Sequence, residues 1–296
     1  MNKNSAYFLY RSSVIFNAGF AFVAGLLFLL TTAMAHADTA VGMVLDLQGS
    51  GKIDVNGVSS KLQLLAYLQP RMQITVDAGA RASLSLYATR SVYQVTGPAV
   101  VTVEKDSVVS LQGQKVVVKA MAEKLVRAAE TSNVIAGAVR MRQLPPRILL
   151  VTPEANSLLI AKHPAFNWIA AEVAEYEVSI YDLEDKLIVT EKVKENNWQL
   201  PEKLVLEDGT AYRWQISYVS PKDGKSYTAR AEFRLASKAD AASLLDLKPE
   251  ENAALEEWVL YAAMLQNKRA YAEARAVWQL IARQRPDLLK LPETMQ

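Results

Sequence analysis

From Val41 to about Arg142 apolar and polar residues alternate in short runs: VGMVLDLQG, GKIDVNG, MQITVDAG, ASLSLYA, SVYQVTG, AVVTVEKD, SVVSLQG and QKVVVKA, with turn residues between them. A period of two puts one side of each run in a core and the other in water, and many short runs in series specify a sandwich or barrel of strands. The turns carry their own chemistry. Asn56-Gly57 suits a tight hairpin that needs positive φ, and Gly97-Pro98 can begin a strand without supplying an amide donor. AEKLVRAAE, residues 122–130, reads as a short helix crossing an edge before SNVIAGAVRMR resumes the strand pattern.

Pro145-Pro146 stops any strand, so residues 143–147 form an extended linker. Residues 148–236 are β again with a different spacing: ILLVTPE, AFNWIA, EYEVSIYDL, LIVTEKV, AYRWQISYV and SYTARAEFRL, with turns at Leu183 to Lys186, Glu207-Asp208-Gly209 and Lys222-Asp223-Gly224. Trp168, Trp198 and Trp214 are expected as core or near-core rings; the alternative for Trp198, beside Asn196 and Asn197, is carbohydrate stacking. From Ser237 the period changes to 3.6. After a proline break within Asp246 to Glu250, EENAALEEWVLYAAMLQNK and YAEARAVWQLIARQRPD make two amphipathic helices.

The first 37 residues read as an export leader. Lys3 and Arg11 precede the apolar run Val14 to Leu30, and the small residues of AMAHA predict cleavage after Ala37. An uncleaved anchor is the alternative, because the run approaches the roughly 17 to 25 residues that span a bilayer. The expected localisation is therefore periplasmic, or a single inner-membrane anchor with periplasmic domains. Removing the leader takes Lys3 and Arg11 from 33 basic residues and nothing from 31 acidic ones, leaving 31 of each. A neutral mature chain has no summed field to draw it onto nucleic acid or anionic lipid, so membrane contact is expected only if the leader stays. The chain has no cysteine, which removes disulfides and thiolate metal sites.

A search for chemistry returns no catalytic, cofactor-binding or metal-ligating set. The mature chain keeps one histidine, His163, directly before Pro164. Without a second histidine or a thiol, histidine-paired nucleophiles and the common metal-site types have no ligands. QGSGK at residues 48–52 lacks the spacing of a phosphate loop. Carboxylates remain: Glu172, Glu175 and Glu177 cluster, as do Asp182, Glu184 and Asp185. Glu175 and Glu177 share a strand face by alternation, and Asp182 to Asp185 fits a hairpin turn. No enzymatic activity, no cofactor and no metal are expected.

Three resemblances sit on these residues. The order VLDLQGSGKIDVNG, LQLLAYLQPRMQITVDAGARASLSLY, GPAVVTV and SNVIAGAVRMR resembles the FecR-type domain of bacterial envelope proteins over about a third of the chain. Ala88-Thr89-Arg90 and Pro70-Arg71 depart from that family's usual turn and Gly-Asp step. Members of the family relay a signal from an outer-membrane receptor to a cytoplasmic sigma factor. Only Met1 to Ser13 precede the apolar run here, so that role is not carried over. LEDGTAYRWQI resembles the tyrosine corner of fibronectin type III and immunoglobulin-like sandwiches, with Leu206, Gly209 and Tyr212 as its structural residues. Trp258, Tyr261, Ala262, Leu265, Tyr271, Ala274, Trp278, Ile281 and Pro286 fall at the spacings of a tetratricopeptide helical hairpin, with small residues at 262 and 274 for close helix approach. A lone hairpin of this kind cannot bury its outer face, so it caps its own chain or waits for another.

The expectation is a mainly β chain with a small α-helical C-terminal part. Its order is a leader (1–37), a FecR-like all-β domain (38–142), a Pro-rich linker (143–147), an immunoglobulin-like sandwich (148–236) and a helical region (237–296). The function expected is a non-enzymatic interaction, scaffold or sensing role in the cell envelope. Trp258, Tyr261, Leu265, Tyr271 and Trp278 are the candidate contacts for an envelope protein partner. The alternative is a glycan or peptidoglycan module that uses exposed aromatics.

Overall fold

The computed structural model describes residues 40–130 and 147–287. The leader, the SNVIAGAVRMR run and Pro145-Pro146 lie outside those residues. The fold is mainly β with helices toward the C-terminus, and the described residues belong to one compact body.

Ten strands occupy the first part: β1 (Gly42–Gln48), β2 (Gly51–Val55), β3 (Val58–Lys61), β4 (Tyr67–Leu68), β5 (Gln73–Val76), β6 (Arg81–Leu86), β7 (Ser91–Thr96), β8 (Ala99–Val103), β9 (Val108–Gln112) and β10 (Val117–Ala120). They form two five-stranded antiparallel sheets, β4-β1-β6-β7-β10 and β3-β2-β5-β8-β9. Asn56 and Gly57 both take positive φ, as the two-residue β2–β3 hairpin requires. Between the sheets lie Val44, Leu68, Ile74, Val76, Leu84, Leu86, Val95, Val101 and Val103, one face of each alternating run.

After the short helix α1 (Glu123–Glu130), the second part holds β11 (Ile148–Thr152), β12 (Ser157–Leu159), β13 (Ala165–Ala170), β14 (Tyr176–Asp182), β15 (Leu187–Val193), β16 (Asn197–Gln199), β17 (Ala211–Val219) and β18 (Ser226–Leu235). One sheet runs β11-β13-β16 and the other β12-β18-β17-β14-β15, with β12 parallel to β18. The arrangement is a two-sheet sandwich, in which β11 starts the first sheet and β12, just after it, finishes against the last strand of the other. Phe166 centres its core, with ring centroids 5.3 Å from Trp198, 5.1 Å from Trp214 and 5.7 Å from Phe233. Such tilted and edge contacts add about 0.5–1.5 kcal/mol each beyond burial.

Three helices follow: α2 (Lys238–Asp246), α3 (Leu255–Asn267) and α4 (Tyr271–Gln284). Ser237 caps α2 by accepting the Asp240 amide at 3.0 Å. Ala262 and Ala274 are buried where α3 and α4 pack together. The hairpin does not stand apart. Its apolar residues share one cluster with Met43 and Leu45 of β1, Tyr87, Val92, Met121 and Leu125 of the first sandwich side, and Leu158 of β12 in the second. A third hydrophobic core therefore lies where the helices meet both sandwiches.

Alternation puts Met43 and Leu45 of β1 in this core and Val44 in the sandwich core. A bulge, where the register with β6 shifts between Val44 and Asp46, then turns Asp46 to the helix side as well and returns Leu47 to the sandwich core. Asp46 pairs with Ser83 in the ladder and, like Ser83, reaches the helices: it is ion-paired with Arg285 at 2.7 Å. The face of β6 and β7 that alternation assigned to water is covered. Ser83 and Gln94 donate to the same Glu256 carboxylate oxygen on α3, at 3.0 and 3.3 Å.

Candidate functional site

The candidate partner contacts on the hairpin divide in two. Trp258, Tyr261 and Leu265 are 5%, 4% and 0% exposed within the chain's own third core. The expectation that they face a partner is corrected on physical grounds, because their apolar surface is already removed from water by Met43, Leu45, Leu158 and the other residues of that core. Tyr261 also donates its hydroxyl to the Leu244 carbonyl at 3.2 Å. Tyr271 and Trp278 are half-buried on α4, with the Trp278 indole nitrogen buried and lacking an acceptor.

At the corner of the second sandwich the Tyr212 hydroxyl accepts the Glu207 amide at 2.8 Å. Leu206 is buried, and Gly209 has φ +79°, a conformation that side chains disfavour. Trp198 lies in the core against Phe166 and donates its indole N–H to Glu191 at 2.9 Å. Trp168 and Trp214 are buried as well, so none of the three presents a free ring face to a sugar.

The carboxylate clusters resolve into different tasks. Glu172 is buried, ion-paired with Arg147 at 3.0 Å and accepting from the Ser220 hydroxyl at 2.7 Å. Arg147 lies over the Tyr227 ring, 5.1 Å from its centroid. The Tyr227 hydroxyl donates to Asp223 at 2.7 Å, and this bond is the largest cause that holds the Asp223 carboxyl below its usual range. Glu175 and Glu177 line a shallow groove of about 370 Å³ on the second sandwich with Lys192, Ser217 and Ser226. Asp182 accepts the amides of Glu184 and Lys186 at 3.1 and 2.8 Å, closing the β14–β15 turn. His163 is half-buried just before β13. Among the described residues no three His, Cys, Asp or Glu side chains gather as metal ligands, and no helix is long and apolar enough to cross a membrane.

The surface that sequence reasoning passed over is made by β9 and β10. Among the described residues each is the last strand of its sheet, paired only to β8 or β7, and the loop 113–116 joins them. Val109, Leu111, Val117 and Val118 are 45%, 52%, 55% and 55% exposed, beside Lys115 and Lys119. Residues 108–120 contain no acid. Open strand edges offer unpaired backbone groups to an incoming strand. The unbroken run VVVKA was the available signal, since a strand with one solvated face alternates and this one does not.

No protein-family model matches the chain, and no curated protein does. Among solved structures the chain is similar to a biofilm-associated protein BSP domain, at 9% identity and a TM-score of 0.22, over 68% of this chain and 26% of that one. It is also similar to a beta-1,2-glucanase from Parabacteroides distasonis, at 9% identity and a TM-score of 0.24, over 71% of this chain and 39% of that one. The chain thus spans well under half the length of either protein. Likenesses at these scores carry neither fold nor function.

Proposed function

We propose that this chain is a non-enzymatic interaction protein of the bacterial cell envelope, exported to the periplasm, that holds a partner protein by strand addition at the β9–β10 edge. The observation that carries the reading is the pair of strand edges that no other strand covers among the described residues, with Val109, Leu111, Val117 and Val118 exposed. Backbone pairing supplies affinity in such complexes, and the side chains that alternate along the added strand supply selection. With Lys115 and Lys119 present and no acid in residues 108–120, the fitting occupant is an extended segment of another envelope protein that alternates apolar with acidic residues. The export leader and the FecR-type resemblance support the compartment. The shared third core supports a scaffold role, since it fixes the two sandwiches to one hairpin.

The test is titration of the leader-free protein with a peptide of alternating valine and glutamate, followed by backbone amide shifts. Shifts confined to residues 108–120, lost in Lys115→Glu/Lys119→Glu and absent with a valine–lysine peptide, are expected. Equal binding of both peptides, or shifts elsewhere, refutes the edge as the docking surface. The glycan reading keeps only the polar groove at Glu175, Glu177 and Lys192, because Trp198, the ring proposed for stacking, is in the core.

A further inference from the structure

The contact between α4 and the second sandwich contains an unbalanced charge. Glu273, in the first turn of α4, accepts the Ile160 amide on Oε1 at 3.2 Å, while its Oε2 is buried without a hydrogen-bond partner. Across the seam Glu154 is ion-paired through Oε1 with Arg275, and its own Oε2 is also buried and unpartnered. Arg275 additionally donates to the Thr152 hydroxyl at 3.2 Å, and the Leu158 amide donates to the Arg269 carbonyl at 2.9 Å. The remaining titratable group facing Glu273 is Tyr261 of α3, whose hydroxyl is committed to the Leu244 carbonyl.

Arg275 is spent on Glu154 and Thr152, and two carboxylate oxygens, one on Glu154 and one on Glu273, lie out of water with nothing donating to them. Unpaired buried charge is the costly state of such a cluster, and one bound proton removes it. We propose that this seam is a proton-operated clamp: Glu273 takes a proton on Oε2 as the pH falls, and the docking of α4 on β12 tightens. The proposal is independent of the β9–β10 edge.

Burial, the largest cause, and the Glu154 charge raise the Glu273 carboxyl above its usual range, while the amides of Glu273 and Ile160 act in the opposite direction without cancelling them. A carboxyl whose folded value lies above its unfolded one favours the fold below the unfolded value, and that benefit is lost as the pH rises through the folded value. The clamp is thus tightest in acid and loosens from just above the usual glutamate range upward.

Hydrogen exchange at the Leu158 and Ile160 amides, corrected for intrinsic rates and compared at pH 7.5 and 5, tests it. Protection in the wild-type protein should rise on acidification from pH 7.5 to 5, because part of the proton uptake falls in that interval. Glu273→Gln should show the acid-level protection at both pH values, and Glu154→Gln should show a smaller rise than wild type. The same rise in wild type and Glu273→Gln overturns the proposal. If Glu273→Gln does not fold, a rise in Glu154→Gln equal to that of wild type overturns it.

Discussion

If the third core holds the two sandwiches together, one substitution inside the hairpin must be felt in both. Leu265→Ala is the cleanest such change, since Leu265 has no exposed surface and belongs to the cluster that contains Met43 and Leu45 of β1 and Leu158 of β12. Leucine to alanine at a fully buried site costs about 2–5 kcal/mol, from lost transfer energy and the cavity left behind. Taking about 3 kcal/mol from that range, exchange through cooperative opening should accelerate about a hundredfold, at tenfold per 1.4 kcal/mol. Hydrogen exchange by mass spectrometry would follow β1 and β6 in the first sandwich, β12 and β18 in the second, and the hairpin itself. All three regions should accelerate together, while Leu265→Met, which keeps the volume, should cost less than about 1.5 kcal/mol. Acceleration confined to residues 238–287 would refute the shared core and leave the hairpin as a detachable cap.

Arg285→Met should cost about 3 kcal/mol in urea denaturation, because it strands the buried Asp46 carboxylate; that is the lower part of the range for broken buried pairs, as Arg285 keeps a rim of solvent. The double variant Asp46→Asn/Arg285→Met should lose less than the sum of its single changes. The Asp287 carboxyl, held below its usual range chiefly by its bond to Arg285, should return toward that range in Arg285→Met, which a carboxyl NMR titration would read. Tyr212→Phe should cost about 1 kcal/mol in the same denaturation assay, with faster exchange at the Glu207 amide and no change at β9 or β10.

Local pattern was enough for much of the fold. The Asn56-Gly57 hairpin, the strands of residues 42–48, 81–86 and 211–219, and the helices of α3 and α4 each follow from a period or a turn residue that acts within its own neighbourhood. Three of the shortest strands escaped. β4 has two residues and β12 and β16 three each, too short for any period, and they exist because distant segments pair with them: β4 lies on β1, β12 runs parallel to β18, and β16 adds to β13. Trp198, expected as a core or near-core ring with stacking as the alternative, is buried through that pairing.

The candidate site was less legible. Trp258, Tyr261 and Leu265 have the composition of a binding face, and whether such a face meets a partner or its own chain is invisible in one dimension. Ser83, Gln94 and Asp46 carried the opposite error, reading as a solvated side when they meet Glu256 and Arg285. The edge at Val117 and Val118 is defined by what does not cover it among the described residues, and that is set by the paths of β7, β8 and the helices.

Sequence alone determined which residues turn, which alternate and which coil, because those preferences arise from backbone sterics and from neighbours within one turn or one strand. Tertiary structure decided which apolar faces met each other. Burial is non-directional, so Met43, Leu158 and Leu265 share a core through the positions that sheet pairing and helix packing gave them.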